Sequence, residues 1–328
     1  MKLRIISCLI FLQVFCLINV ERLNCQSYVT YEITDGRLGD RLISYCHAKW
    51  LSYKYGLKLL YKPFAYADKL MMSQIEMPFE QANHNRVIVP IRGDNPDYFD
   101  NNNILFDISY FPECKEELAR LNKHNNYYYH FDVDYKNPEF KGELQKALKP
   151  IIELETIKPP KDCVSLAVHV RRNSGGFDSP LSFEVIERLG YLPEGVYTDF
   201  IFPLKHPSDD YYIEQIKKAV EFFDHQKMYI YLFTDDPTPS AIVEKYRKIL
   251  SDYPNITFDC RKTENKHYLN VLEDLFSLIN FDALIRADSN LAIVASMIGN
   301  FKLVISPRDY KKIGHKIIID QVTIETII

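Results

Sequence analysis

The residues best suited to chemistry in this chain are two consecutive arginines that end an apolar run. They lie in Val168-His169-Val170-Arg171-Arg172-Asn173-Ser174-Gly175-Gly176. A guanidinium at the end of a buried strand needs an anionic partner, and its planar fork suits a phosphate. The two glycines that follow let a backbone approach a ligand closely. The alternative is a structural ion pair with an internal carboxylate. A second polar group follows another apolar run, in Tyr231-Leu232-Phe233-Thr234-Asp235-Asp236-Pro237. Paired aspartates could hold a divalent metal. They could equally start a helix, with Asp236 as cap and Pro237 at its first position. Asp235 would then serve substrate or structural hydrogen bonds. A third group pairs Glu273-Asp274-Leu275-Phe276-Ser277 with Arg286-Ala287-Asp288-Ser289-Asn290. A carboxylate such as Asp274 can accept two N–H bonds from one edge of guanine, or it can simply face solvent. Ser289 and Asn290 open a helix, whose free N–H groups and dipole favour phosphate; a plain serine cap competes. The fourth group is the turn Gly36-Arg37-Leu38-Gly39, between a strand and a helix.

The surrounding pattern says what must position these groups. Tyr28 to Ile33 reads as a strand. Apolar residues at helical spacing run from Asp40 to Tyr55, Gly56 stops the helix, and Leu57 to Tyr61 is the next strand. From Lys62 to Pro160, short apolar runs at Val87–Val89, Ile104–Phe106 and Tyr127–Phe131 alternate with Asn- and Pro-bearing loops. Glu143 to Leu154 reads as a helix. Lys158-Pro159-Pro160-Lys161 has linker chemistry, which divides the chain into 26–158 and 159–328. Beyond it, strands at 164–170, 228–233, 256–258, 283–286 and 303–306 alternate with helices at 211–223, 238–250, 271–281 and 290–298. That alternation predicts a parallel sheet covered on both faces, with ligand beyond the strands' carboxyl ends.

Composition narrows the function classes. The chain has 328 residues, 47% hydrophobic and 26% charged, enough for two ordinary globular domains. Its net charge of −4 argues against nucleic-acid or anionic-membrane binding over a broad surface. The 23 tyrosines and 20 phenylalanines suit the apolar faces of sugars, or reflect a general aromatic bias. Lys2 and Arg4 precede an apolar run from Ile5 to Ile18, so residues 1–25 read as a signal peptide or an uncleaved signal anchor. A secreted, periplasmic or lumenal protein is therefore expected. Of seven cysteines, Cys46, Cys114, Cys163 and Cys260 lie beyond this leader. No C-x-x-C motif occurs, so no structural zinc is expected.

Taken together, the four groups resemble the fucosyltransferase superfamily that contains the α1,2-, α1,6- and protein O-fucosyltransferases. Its G-x-L-G-N-Q turn matches Gly36-Arg37-Leu38-Gly39-Asp40-Arg41, and its H-x-R-R segment matches His169 to Arg172. Its S/T-D-D segment matches Thr234-Asp235-Asp236, and its D-L helix with a later Ser-rich turn matches Asp274 to Ser289. The resemblance implies a GT-B-like α/β fold: two Rossmann-like domains whose parallel sheets face each other across a cleft. It implies inverting, metal-independent transfer of fucose from GDP-fucose to a glycan or protein hydroxyl, with no cofactor beyond that donor. On that pattern Arg171 binds the β-phosphate and stabilises the departing GDP, Arg172 holds the segment, and His169 and Asp274 read guanine. Ser289 hydrogen-bonds a phosphate, Gly36 and Gly39 form the turn that approaches it, and Asp235 lies beside the nucleotide. Asp178 is the candidate general base, with Glu184 as runner-up. Asp40 and Arg41 stand where the family usually has Asn and Gln, and Asn173 and Ser174 also depart from it. Another sugar nucleotide, or a non-catalytic carbohydrate- or protein-binding descendant of the fold, therefore remain as alternatives.

Overall fold

The structure, a computed structural model, describes residues 28–31, 36–81, 87–91, 104–108, 133–172, 203–263, 265, 268–313 and 316–326. The leader, Cys114, Tyr127–Phe131, Asn173–Gly176, Asp178 and Glu184 lie outside the described residues. The described residues form two compact α/β units. Among the described residues, one draws on 28–31, 44–81, 87–91, 104–108 and 133–149, the other on 36–43, 150–172 and those from 203 onward.

The first unit holds a parallel sheet of β1 (Tyr28–Tyr31), β2 (Lys58–Tyr61), β3 (Met77–Pro78), β4 (Val87–Ile91) and β5 (Ile104–Ile108), in the order β3-β2-β1-β5-β4. Helix α1 (Leu38–Tyr55) joins β1 to β2, and the division between units falls within it. It ends as expected: Gly56 takes φ +64°, the left-handed conformation that closes a helix at little cost to glycine. Helix α2 spans Pro138–Ala147, earlier than the expected Glu143–Leu154. The stronger start signal is Asn137, whose Oδ1 accepts from Glu139 N at 3.0 Å and Phe140 N at 3.1 Å, with Pro138 in the first position. Pro150 disfavours helical backbone at Lys149, which sets the end.

In the second unit β6 (Val164–Val170), β7 (Met228–Thr234), β8 (Ile256–Cys260), β9 (Ala283–Arg286), β10 (Leu303–Ile313) and β11 (Lys316–Thr326) form one sheet, in the order β11-β10-β9-β6-β7-β8. Every pairing is parallel except that of β10 with β11. The helices are α3 (Asp209–Phe222), α4 (Pro239–Ile249), α5 (Val271–Leu278) and α6 (Asn290–Ile298). Leu166, Val168 and Val170 of β6 point to one face, where they pack with Ile230 and Leu232 under Tyr212, Ile216 and Val220 of α3 and Val243 and Tyr246 of α4. The alternate residues Ala167 and His169 lie opposite Tyr231 and Phe233 on the other face. There Phe281 meets Tyr229, Tyr231 and Phe233 in ring contacts.

Pro159 and Pro160 lie within the second unit, and two local details after them differ from the sequence expectation. Ahead of the prolines Ile157 is held by its backbone, its N–H donating to Ser277 Oγ at 2.8 Å and its carbonyl accepting from Asn280 Nδ2 at 3.0 Å. Helix α5 stops at Leu278 rather than Phe281, because the chain turns there and delivers Phe281 to the aromatic face. The strand expected to end at Ser306 continues to Ile313 and turns back as β11. Pro307 sits beside a register shift, where a missing N–H is tolerated. No helix among the described residues is long and apolar enough to cross a membrane.

Candidate functional site

In the second unit the chain runs β6, β7, β8 to one side and returns to place β9 and β10 on the other. That reversal makes the carboxyl ends of β6 and β9 the topological switch point of the sheet, the place where ligands of open α/β sheets bind. His169 stands there, opposite Phe233 on one neighbour strand and Arg286 on the other. Burial pushes its imidazole down to about 4, the Asp235 carboxylate opposing and Arg286 adding to the effect. It is therefore neutral at pH 7, and its Nδ1 is buried with no hydrogen-bond partner among the described residues.

The arginine pair follows at once, held by carboxylates from two directions. Arg171 Nη1 lies 2.7 Å from Asp235 Oδ2, and both side chains are buried. The Arg172 backbone N–H donates to Asp235 Oδ1 at 2.6 Å. The Arg172 guanidinium pairs with Asp209, which also accepts from Tyr246 Oη and Lys245 Nζ, each at 2.6 Å. The ion-pair alternative weighed for these arginines is thus present for both. Asp235 acts here as a clamp on the Arg171-Arg172 dipeptide. Asp236 does not cap a helix with Pro237 at its first position. The helix starts two residues later, with Thr238 as cap residue and Pro239 in that position. Asp236 Oδ1 instead accepts from Thr238 N at 2.7 Å and Thr238 Oγ1 at 2.9 Å, a side-chain turn that uses the carboxylate before the helix begins.

At the end of β9, Arg286 Nη1 donates to Ala287 O at 3.2 Å and lies 3.5 Å from Asp288 Oδ1. Its Nε is buried with no hydrogen-bond partner among the described residues. Burial raises the Asp288 carboxyl above the usual range, with Arg286 opposing. Tyr211 Oη fastens α3 to this strand end by donating to Arg286 O at 2.9 Å. Ser289 is the cap residue of α6, yet its hydroxyl makes no capping bond.

The glycine turn packs directly against α6. A Cβ on Gly39 would stand 2.5 Å from Leu291 N and 2.9 Å from Asn290 C, so only glycine permits this approach. A Cβ on Gly36 would meet Asp40 Cβ at 2.6 Å. Asp40 ties the assembly together. Its Oδ2 accepts from Arg37 N at 2.8 Å, satisfying a free N–H at the start of α1, and its Oδ1 accepts from Asn290 Nδ2. The close backbone approach expected at Gly39 is therefore made to a neighbouring helix.

Beyond β7 a small open hollow of about 10 Å³, room for a single water, is lined by Tyr231, Leu232, Phe233, Thr234, Pro239, Arg261, Asn265 and Asp274. Asp274 faces this hollow rather than open solvent and pairs with the Arg261 guanidinium. Burial lifts its carboxyl to about 6 despite Arg261. Asn265 Nδ2 donates to Thr234 O and Asp236 O, each at 2.6 Å, and so fixes the wall.

The structure brings His169, Arg171, Arg172, Asp235 and Ser289 to the ends of adjoining strands, with Gly39 of α1 packed against the start of α6 and Asp274 in the neighbouring hollow. Sequence reasoning placed Arg286 in its third group without giving it a role, and passed over Asp209, Arg261 and Asn265. Arg286 carried the same signal as Arg171, a guanidinium ending an apolar strand. Asp209 and Arg261 lie in polar stretches that nothing distinguishes locally.

No family model matches the chain, and no curated protein matches it. Among solved structures it is similar to POFUT1 in complex with GDP-fucose, at 12% identity over 84% of this chain and 96% of that one, with a TM-score of 0.42. It is similar to an Arabidopsis thaliana FUT1 point mutant in complex with GDP, at 12% identity over 86% of this chain and 70% of that one, with a TM-score of 0.48. It is also similar to the fucosyltransferase NodZ from Bradyrhizobium, at 12% identity over 92% of this chain and 99% of that one, with a TM-score of 0.40.

Proposed function

We propose that this protein is a glycosyltransferase that takes its sugar from a guanosine diphosphate donor, with GDP-fucose as that donor. The observation that carries the reading is the switch point at the ends of β6 and β9. It gathers Arg171, Arg286, neutral His169 and the uncapped Ser289 hydroxyl beside a hollow containing Asp274. Phosphate needs cationic and N–H donors, and guanine needs a paired acceptor, so these two groups of residues would serve the two halves of GDP. Arg171 would hold the β-phosphate and stabilise negative charge as GDP leaves. Asp235 would orient Arg171, and Asp209 would anchor Arg172 away from the reacting atoms. Transfer would invert the sugar carbon without a metal, onto a glycan or protein hydroxyl, with Asp178 as the base that removes the acceptor's proton. A signal-directed protein would meet such acceptors in the secretory pathway or outside the cell.

One observation favours a second reading, binding without turnover: both guanidiniums already have carboxylate partners. The test is release of fucose from GDP-fucose by the full chain, in water and with a glycan panel, beside Arg171→Lys. Turnover in the wild type, lost in the variant while GDP still binds, supports transfer. Tight GDP binding with no turnover under any acceptor supports the second reading.

A further inference from the structure

β11 (Lys316–Thr326) is the last strand of its sheet and, among the described residues, pairs with β10 alone. An edge strand presents a row of outward N–H and C=O groups on which another strand can pair. Short length or a proline commonly blunts such an edge. β11 runs for 11 residues without proline, and its Ile318 and Ile324 are 43% and 51% exposed. The strand also changes face midway. Ile319 and Val322 both pack against the core of the second unit, and Ile324 shares their face because it pairs with the core residue Ile305. Alternation alone would put residues 319 and 322 on opposite faces. The change falls at Asp320 and Gln321, beside the register shifts at Asp309.

That change of face restricts what can pair with this edge. Residues opposite each other in a sheet share a face, and a one-residue slip reverses every one of them. An added strand must therefore change face at the same point. A second β11, antiparallel to the first about a two-fold axis between Asp320 and Gln321, does so. Its register places Ile319 opposite Val322, Ile317 opposite Ile324, Ile318 opposite Thr323, Lys316 opposite Glu325 and Asp320 opposite Gln321. The isoleucines meet β-branched residues, each lysine meets a glutamate, and like charges never face each other. We propose that a second copy of this chain docks on β11 in this register, joining two six-stranded sheets edge to edge. The contact is isologous, so it closes as a dimer and leaves no edge at β11 to extend it. The dimer stands independently of the donor reading.

The test is sedimentation velocity of the full chain over about 1–100 µM, the range suited to an interface at the small end of known sizes. Wild type should pass from monomer to dimer across it. Ile324→Lys, which places an ammonium opposite Ile317 from a half-exposed position, should remain monomeric. Glu325→Lys should weaken the dimer by about 10- to 30-fold, because two attractive pairs become two like-charge pairs. Adding Lys316→Glu restores opposite charge in both pairs and should return the wild-type dissociation constant. Thermal melting by circular dichroism shows that each variant is folded, and Glu325→Lys with its double variant carries the test if Ile324→Lys is not. Wild type that is still monomeric at about 100 µM overturns the proposal. So does a dimer that neither Ile324→Lys nor Glu325→Lys weakens, or one weakened by Glu325→Lys that Lys316→Glu fails to restore.

Discussion

Substituting alanine at two glycines should move stability in opposite directions, because their surroundings differ. At Gly39 the new Cβ would stand 2.5 Å from Leu291 N and 2.9 Å from Asn290 C, both backbone atoms of a buried helix start. Neither can rotate away, so α1 and α6 must separate. Overpacking of this kind costs about 1–3 kcal/mol. At about 2–4 °C per kcal/mol for a protein of this size class, Gly39→Ala should lower Tm by about 2–12 °C. Gly142 lies in α2, where an added Cβ meets nothing within 4 Å. There alanine only reduces the freedom of the unfolded chain, and Gly142→Ala should gain about 0.5–1 kcal/mol. Differential scanning calorimetry on the three proteins measures both shifts. GDP affinity should fall in Gly39→Ala, since the start of α6 moves, and hold in Gly142→Ala. A Gly39→Ala protein that melts at or above the wild type refutes the close packing of α1 on α6.

The clamp on the arginine dipeptide makes a second prediction. Asp235→Ala would leave the buried Arg171 charge and the Arg172 N–H without their carboxylate, at a cost of about 3–5 kcal/mol. Urea unfolding measures that loss, and a variant within 1 kcal/mol of wild type contradicts the clamp. The Asp274 carboxyl, raised to about 6 chiefly by burial, makes the third. Guanine binding needs its ionised form, so GDP affinity should fall as pH drops through 6 and stay flat in Asp274→Asn. Stability moves the other way. The folded-state value lies above the ordinary 3.8, so this group's contribution is fully present below 3.8 and is lost as pH rises through 6.

Much of the second unit was legible because its strands are short apolar runs with helices between them. The periodicity located β6, β7, β9 and α6 to within a residue, and the polar residues just past β6 and β9 are those that meet at the switch point. What periodicity could not show was partnership. That Asp235 spends both oxygens on Arg171 and Arg172, or that Asp209 receives three donors, depends on contacts across 36 to 64 positions of sequence. The beginning of α2 was missed because the apolar pattern outweighed the Asn137-Pro138 start signal. The beginning of α4 was misplaced because two prolines, Pro237 and Pro239, offered the same signal two residues apart. The hairpin of β10 and β11 was hidden by Pro307, a residue that ends most strands but is tolerated beside a bulge.

The central claim is that the ends of β6, β7 and β9 form a guanosine diphosphate site, and the most direct measurement is thermal stabilisation of the full chain by nucleoside diphosphates. GDP at a hundred times its Kd should stabilise by about 2.7 kcal/mol, while UDP and ADP at the same concentration should leave Tm unchanged. Equal shifts with all three nucleotides, or none with GDP at millimolar concentration, would contradict it.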